Sequence, residues 1–579
     1  MKGRSTSCLG LGKTLFNSSA CVFRPGGAPG EQRPRIELAL SERLLRKKAA
    51  GTWPEAAIGA LGLGDEPLAI AENRDVLSPA EQERALDRSF PFFDHLKRAG
   101  LARFSSRFNP ELEFVTHHRC HAMAAVAMSP FEKCVIVVMD GAGSLRRDFS
   151  ETQARDEGIA EHSVSPDSHE ECSVYLHDRG RLRGVRKRWR VFRRGVRATE
   201  HTFSEGSGIL YEKVAEYVFN SGRAAGKVMG LASFGSPSAA IPNGGRWDFV
   251  DGLDWSRAFQ GGSKKDWEES GRFAEFANLA ASAQQDFEAG YFELLREIRS
   301  AYPGYDRLIL TGGCALNCTA NGKLLATGLF NEVYVPPFPG DESIGLGAAS
   351  WLYYIKEGYP WLPLPPSEQH GYFGPRSSVP SEGEVDRVFA GLEIRKPPSI
   401  TRYVAGLLAE GKILGWYQGR SESGPRALGN RSILADPRVA GLKDRLNREV
   451  KFREAFRPYG ASCTFESVRT WFDVPAAFDS PFMSFAVRPR PEQRELLKEV
   501  CHVDGTSRIQ TVRPGQNPLF HELLTEFGAM TGLPCLLNTS LNVMGEPIVE
   551  SMADARAFLE KTPVDGIAVG EHFVRRRSS

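Results

Sequence analysis

A chain of 579 residues exceeds what one hydrophobic core usually organises, so two large lobes are expected. Hydrophobic residues at 41%, charged residues at 25%, 58 Gly and 36 Pro describe a loop-rich globular protein and exclude a disordered or fibrous one. Lys plus Arg at 73 against Asp plus Glu at 71 leaves a formal charge of +2. No global basic field therefore draws the chain to nucleic acid, and small or neutral partners are expected.

The N-terminal stretch MKGRSTSCLGLGKTLF has no apolar signal core, and no later run approaches the roughly 18 apolar residues of a membrane span. A cytoplasmic protein without membrane contact is the expectation. Ten cysteines are too sparse in this length for a disulfide scaffold.

From Phe114, FVTHHRCHAMAAVAMSPFEKCVIVVMDGAG reads as a short helix, a turn at Ser129-Pro130, and a buried strand ending at Asp140-Gly141. On that helix His117 and His121 lie four apart, close enough to share one metal, while His118 points elsewhere. Such a pair is by itself more often ordinary packing. Asp140 favours the metal, because a carboxylate at a strand end opens into the crevice where α/β domains bind ligands.

Ten Arg or Lys residues crowd positions 179–197, interleaved with Trp189 and Phe192. They read as a solvated hairpin, an RNA-binding strip or a site for an anionic acceptor; the near-neutral chain favours the hairpin. The strand, glycine turn and helix recur at 305–330, in YDRLILTGG followed by CALNCTANGKLLATGLF, which marks an α/β domain. Cys314 and Cys318 read as buried fillers, since no second pair at zinc spacing exists. The free N–H groups of the Gly312-Gly313 turn can hold a phosphate, with Asn317 and Asn321 facing it. With Gly141 and Gly143 this makes two glycine turns at two strand ends, as in a nucleotide cleft, although no Walker A or dinucleotide fingerprint is present. Asp341, in PPFPGDESIGLGAA, is either a helix N-cap or a further metal ligand. Two His and two carboxylates suit a divalent transition ion with positions left open for phosphate oxygens.

Residues 361 to about 398 are rich in Pro and Ser and read as a linker, dividing the chain into domains at 1–365 and 366–579. Beyond it, TRYVAGLLAEGKILGWYQG reads as a helix then a strand, and CLLNTSLN as another strand, giving a second α/β lobe. Two stretches there concentrate Arg420, Arg426, Arg431, Lys451, Arg453 and Arg457. Arg forks match phosphate oxygens bidentately, so a pocket for a small phosphate dianion is one reading and a solvated face the other. Asn538, Thr539, Ser540 and Asn542 suit an amide-like ligand or a polar turn equally.

Eight stretches in order, HHRCHAMAA, VVMDGAG, SGILYEKVAEYVF with GKVMGLASFG, TGGCALNCTANGKL, PPFPGDESIGLGAA, GWYQGRSESGPRALGNRSILADPR, FREAFRPYGAS and LLNTSLNVMGEPI, resemble the O-carbamoyltransferase family. That family includes the antibiotic-tailoring tobramycin, cephamycin and ansamycin enzymes and the nodulation-factor carbamoyltransferase. The resemblance implies an α/β protein with an actin-like ATPase-fold N-terminal domain, similar to threonylcarbamoyl-transferase, and a YrdC-like C-terminal domain. It implies that carbamoyl phosphate and ATP yield carbamoyl-adenylate in the second lobe, and that the first lobe moves the carbamoyl to a hydroxyl of a natural-product or sugar acceptor.

Carried over by motif, His117, His121, Asp140 and Asp341 resemble the family's iron-binding set, with Mg2+ allowed alongside ATP. Gly141, Gly143, Gly312, Gly313, Asn317 and Asn321 resemble its nucleotide loops. Arg426, Lys451, Arg457, Arg508, Asn538, Thr539 and Ser540 resemble its carbamoyl phosphate pocket, and His117, Arg426, Lys451 and Arg457 are the residues expected to be catalytic. One departure stands out: where many members carry His and Asp near the N-terminus, this chain has Phe16 and Asn17, so no general base is assigned there. A tRNA-modifying threonylcarbamoyl-type transferase and an actin-fold sugar kinase are the rival readings, and a homodimer is compatible with either lobe.

Overall fold

The computed structural model describes residues 6–14, 17–26, 33–48, 53–63, 68–74, 113–159, 164–191, 193–194, 202–203, 207–237, 253–375 and 380–577. Its strands form mixed α/β sheets. One sheet runs Arg35–Leu40, Ser18–Arg24, Ser7–Lys13, Leu68–Arg74 and Glu113–Phe114. A second runs Arg181–Val191, Ser168–Asp178, Lys133–Met139, Arg307–Thr311 and Glu332–Tyr334. In each, the strand that comes first in the chain is central, with two antiparallel strands on one side and two parallel strands on the other. The two sheets thus repeat one topology. A nine-stranded mixed sheet, from Glu393–Arg395 at one edge to Phe485–Val487 at the other, is built wholly from later residues.

Every residue of the His117–Met128 helix is buried, which is why its sequence lacks a polar face. Against it lies the Ile344–Ser350 helix, IGLGAAS, whose small residues let backbones touch. A side chain at Gly347 would stand 1.9 Å from the Cys120 carbonyl oxygen, and one at Gly10 would stand 2.0 Å from the Gly345 carbonyl oxygen. This close packing brings the turn at Asp341 to the histidine helix.

Residues 361–398 are more than a linker. Trp361 packs on His177 and donates to the Val126 carbonyl oxygen. The Glu382–Val388 helix buries Val385, and Glu393–Arg395 is the edge strand of the large sheet. Pro and Ser density hid these elements because each is short and held by tertiary contacts rather than by its own periodicity. The 179–197 stretch does form a hairpin, Ser168–Asp178 with Arg181–Val191, but Lys187 is buried inside it; Phe192 and residues 195–197 lie outside the described residues.

The parts before and after this segment share one core. Phe219 and Trp267 pack on Phe456, Lys227 pairs with Glu454 at 2.6 Å, and Asn321 donates to the Ser484 carbonyl oxygen. Among the described residues, no helix is long and apolar enough to cross a membrane. The tightest join is at Gly322, where a side chain would stand 1.9 Å from the Ala486 carbonyl oxygen. Gly322→Ala should therefore cost about 2 kcal/mol or more and lower the thermal midpoint, an effect read by thermal denaturation. An unchanged midpoint would contradict this packing.

Candidate active site

Three separate segments deliver one cluster of ligands. The buried helix supplies His117 and His121, the end of Lys133–Met139 supplies Asp140, and the turn before Ile344–Ser350 supplies Asp341. His121 Nε2 stands 2.9 Å from Asp140 Oδ2 and 3.1 Å from His117 Nε2, and His117 Nε2 stands 3.6 Å from Asp341 Oδ1. A ligand atom from each of the four residues lies within 4.8 Å of all the others. Metal bonds of about 2.0–2.2 Å put neighbouring ligand atoms roughly 3 Å apart, so these spacings fit one shared divalent ion.

The tautomer of His121 also fits. Ser343 donates its hydroxyl to the Gly340 carbonyl oxygen, so its oxygen accepts from His121 Nδ1 at 3.1 Å and leaves Nε2 with a lone pair aimed into the cluster. Asp341 is not a helix cap; it meets both histidines. Burial would raise the Asp140 carboxyl, but hydrogen bonds and charge from His117 and His121 hold it well below the usual range. Burial and the Asp140 charge push Asp341 upward. A shared cation would favour the ionised form of both. His118 turns away to Ser173, as its position on the helix predicts.

The Gly312-Gly313 turn sits directly beside this cluster. Gly312 has φ +86°, and a side chain on it would stand 2.2 Å from the Met139 carbonyl oxygen; one on Gly313 would stand 3.0 Å from Asp140 Oδ1. Gly141 has open space where a side chain would be, whereas Gly143 is closed in by His118 and Glu170. The asparagines do not face the turn. Asn317 caps the Cys318–Leu325 helix through the Ala320 N–H and donates to Tyr211 and Gln284. Asn321 donates to the Ala315 and Ser484 carbonyl oxygens and accepts from Tyr291. Both are therefore held by protein rather than presented to a ligand. Cys314 and Cys318 are free thiols outside the ligand cluster.

The structure also sorts the cations of the second lobe. Arg420 donates to the carbonyls of Ile36, Phe373 and Gly374; Arg431 donates to those of Gln418, Gly419 and Asn430 and stacks on Tyr417; Arg453 bonds Asn447 and Pro458. These three are structural. Lys451 Nζ donates to four oxygens on Ser540 and Asn542, so it fastens that turn and offers no free ammonium. Asn538 is fully buried against Ser462 and Gln510, while Thr539 and Ser540 are half-buried at the strand end.

Arg426, Arg457 and Arg508 remain. Gly460, just after Arg457, is registered between Arg508 and Asn538, which puts them at one end of the large sheet. Burial, then Arg426, with a contribution from Arg457, pulls Arg508 down to about 9. Of the acids, Glu454 reaches Arg457 at 3.3 Å and is shared with Lys227. Burial is the largest cause of the Arg508 depression and the neighbouring guanidinium charges add to it, a repulsion that a bound anion would relieve. The charges of Arg508 and Arg426 both act on Cys318, which opens the helix after the glycine turn, so that helix lies near these cations. Glu422 shapes the loop bearing Arg426 by accepting the N–H groups of Leu428, Asn430 and Arg431, a role that carries no sequence signal.

Near the N-terminus, Thr14 and Asn17 close the turn between the first two strands, and Asn17 is buried. Phe16 lies outside the described residues.

Comparison with known proteins matches a carbamoyltransferase N-terminus family over residues 75–350 and a carbamoyltransferase C-terminus family over residues 405–576. Nodulation protein NolO of Bradyrhizobium diazoefficiens is 35% identical over 479 residues, covering 80% of this chain and 79% of its own. Nodulation protein NolNO of Sinorhizobium fredii is 34% identical over 502 residues, 84% of this chain and 67% of its own. A 3'-hydroxymethylcephem-O-carbamoyltransferase of Amycolatopsis lactamdurans is 34% identical over 297 residues, 49% of this chain and 52% of its own.

Two measurements check the site. Metal analysis of purified protein should find about one divalent transition ion per chain and none in His121→Ala; full occupancy in that variant would remove His121 from the ligands. Inorganic pyrophosphate at about 100 times its dissociation constant should stabilise the protein by about 2.7 kcal/mol in thermal denaturation, and Arg508→Ala should abolish the gain. Equal shifts in both proteins would place the anion elsewhere.

Proposed function

Because this chain belongs to the carbamoyltransferase family, and is accordingly a transferase enzyme, we propose that it is an ATP-dependent O-carbamoyltransferase with two cooperating sites. A first domain, residues 1–365, carries the transfer site and a second, 366–579, the activation site. The repeated topology of the two five-stranded sheets supports an actin-like first domain. One arrangement supports the reading: the charges of Arg426 and Arg457 both act on Arg508, and those of Arg508 and Arg426 act on Cys318, which opens the helix after the Gly312-Gly313 turn.

In the activation site the arginines hold carbamoyl phosphate and neutralise the phosphate as its bond to the carbamoyl carbon is hydrolysed. A carbamate oxygen then bonds the α-phosphorus of ATP, and pyrophosphate leaves. Lys451 keeps the Ser540 to Asn542 turn in place at the pocket wall. In the transfer site the acceptor hydroxyl oxygen bonds the carbonyl carbon of carbamoyl-adenylate and AMP leaves. His117, His121, Asp140 and Asp341 would hold the divalent ion, iron by the family resemblance, which supplies Lewis-acid stabilisation of phosphate oxygens. The Gly313 N–H orients the departing phosphate, the Gly312 N–H being taken by the Pro339 carbonyl oxygen at 2.8 Å. Asn17 has an amide and takes no proton, so the acceptor's proton leaves by another group. The relatives named for cephem carbamoylation and nodulation point to a small-molecule acceptor. A sugar kinase would have no use for the second pocket.

ATP and carbamoyl phosphate without acceptor should therefore release pyrophosphate. Arg457→Ala should slow this by about 100-fold or more by removing phosphate neutralisation, and Lys451→Ala should do so by loosening the turn. Unchanged release in both variants would reject the assignment.

A further inference from the structure

The ligand cluster is only as exact as the segments that carry it, and one buried carboxylate holds two of them together. Glu170, on the strand next to Lys133–Met139, accepts the His118 N–H at 3.3 Å and the Ser144 N–H at 3.2 Å through the same oxygen, Oε2. The first bond fixes the start of the histidine helix, and the second fixes the loop that continues from Asp140. Ser144 closes the link from its other side, since its hydroxyl oxygen accepts the His117 N–H at 2.9 Å. Gly143 makes room for this: a side chain there would stand 2.8 Å from both the Glu170 Cβ and the His118 ring.

The other Glu170 oxygen, Oε1, receives the Lys187 ammonium. Lys187 comes from the basic 179–197 stretch, yet its side chain is buried, and it also reaches Glu157 at 2.9 Å, Ser173 at 2.9 Å and the Tyr175 hydroxyl at 3.2 Å. A buried lysine is expensive to leave unpaired, so its carboxylates cannot swing away. Ser173, receiving Lys187, in turn bonds the His118 ring at 2.7 Å.

We propose that Glu170, anchored on buried Lys187, is a positioning residue for the metal cluster, setting the helix of His117 and His121 against the loop of Asp140. It touches neither metal nor substrate and acts through the backbone of the ligand-bearing segments. The role rests on reading the four-residue cluster as a metal site. Outer partners of this kind typically change metal affinity by about 10- to 100-fold.

Glu170→Gln keeps the size but leaves one acceptor oxygen for donors on two opposite sides. The probe is Co2+ bound to the full-length protein, with its dissociation constant read by chelator competition and its ligand geometry by visible d–d bands. In a cooperatively melting Glu170→Gln protein the constant should rise at least about tenfold and the bands should shift. Ser144→Ala, which removes the acceptor of the His117 N–H alone, should move both readouts the same way by less, and it decides the matter if Glu170→Gln does not fold. A variant that melts lower but keeps the parent's Co2+ constant and bands overturns the proposal, because that is the mark of a merely structural network. A parent that binds no Co2+ overturns the metal reading itself, whereas a parent that binds and variants that match it overturn only the role of Glu170.

Discussion

Backbone meets backbone at the carboxyl ends of two neighbouring parallel strands, and the rest of the site depends on that contact. Lys133–Met139 and Arg307–Thr311 run side by side, with Thr311 opposite Val138. Only a residue without a side chain, in the left-handed region, lets the chain turn at Gly312 against the Met139 carbonyl. That turn places Gly313 beside the Asp140 carboxylate, so a carboxylate of the ligand cluster and the glycine turn arise from one junction. This is where open α/β sheets bind ligands.

A second constraint is electrostatic. Among the described residues, the cations of the second lobe differ in the partners they have. Arg420, Arg431, Arg453 and Lys451 have oxygens at hand and serve the fold. Arg426 and Arg457 instead press on Arg508, and among the described residues Glu454, shared with Lys227, pairs with Arg457. Such an arrangement is costly without an anion and favourable with one, which is the ground on which a phosphate site is proposed there.

Helix spacing and strand ends place His117, His121 and Asp140 in the ligand cluster by local rules, whereas the turn before a small-residue helix left Asp341 between a helix cap and a ligand until the fold brought it to the histidines. The roles of Asn317, Asn321 and Lys451 were not legible in the sequence, since a sequence shows a donor but not the acceptor that tertiary structure brings to it; Lys451 is fastened by a turn about ninety residues later. Lys187 was hidden for a different reason. Two register shifts in its hairpin, between Glu170 and Cys172 and between Val174 and Tyr175, break the alternation by which an inward residue is recognised. Residues 361–398 misled in the same way, because short elements held by distant partners leave little periodicity.

The central claim is an order of events across two sites, activation in the arginine pocket and transfer at the metal cluster. The measurement that tests it most directly is acceptor carbamoylation by Arg426→Ala and His117→Ala proteins, with and without added synthetic carbamoyl-adenylate. The account predicts that the intermediate restores transfer to Arg426→Ala and leaves His117→Ala inactive. If both variants recover, or neither does, the division of labour between the sites is contradicted.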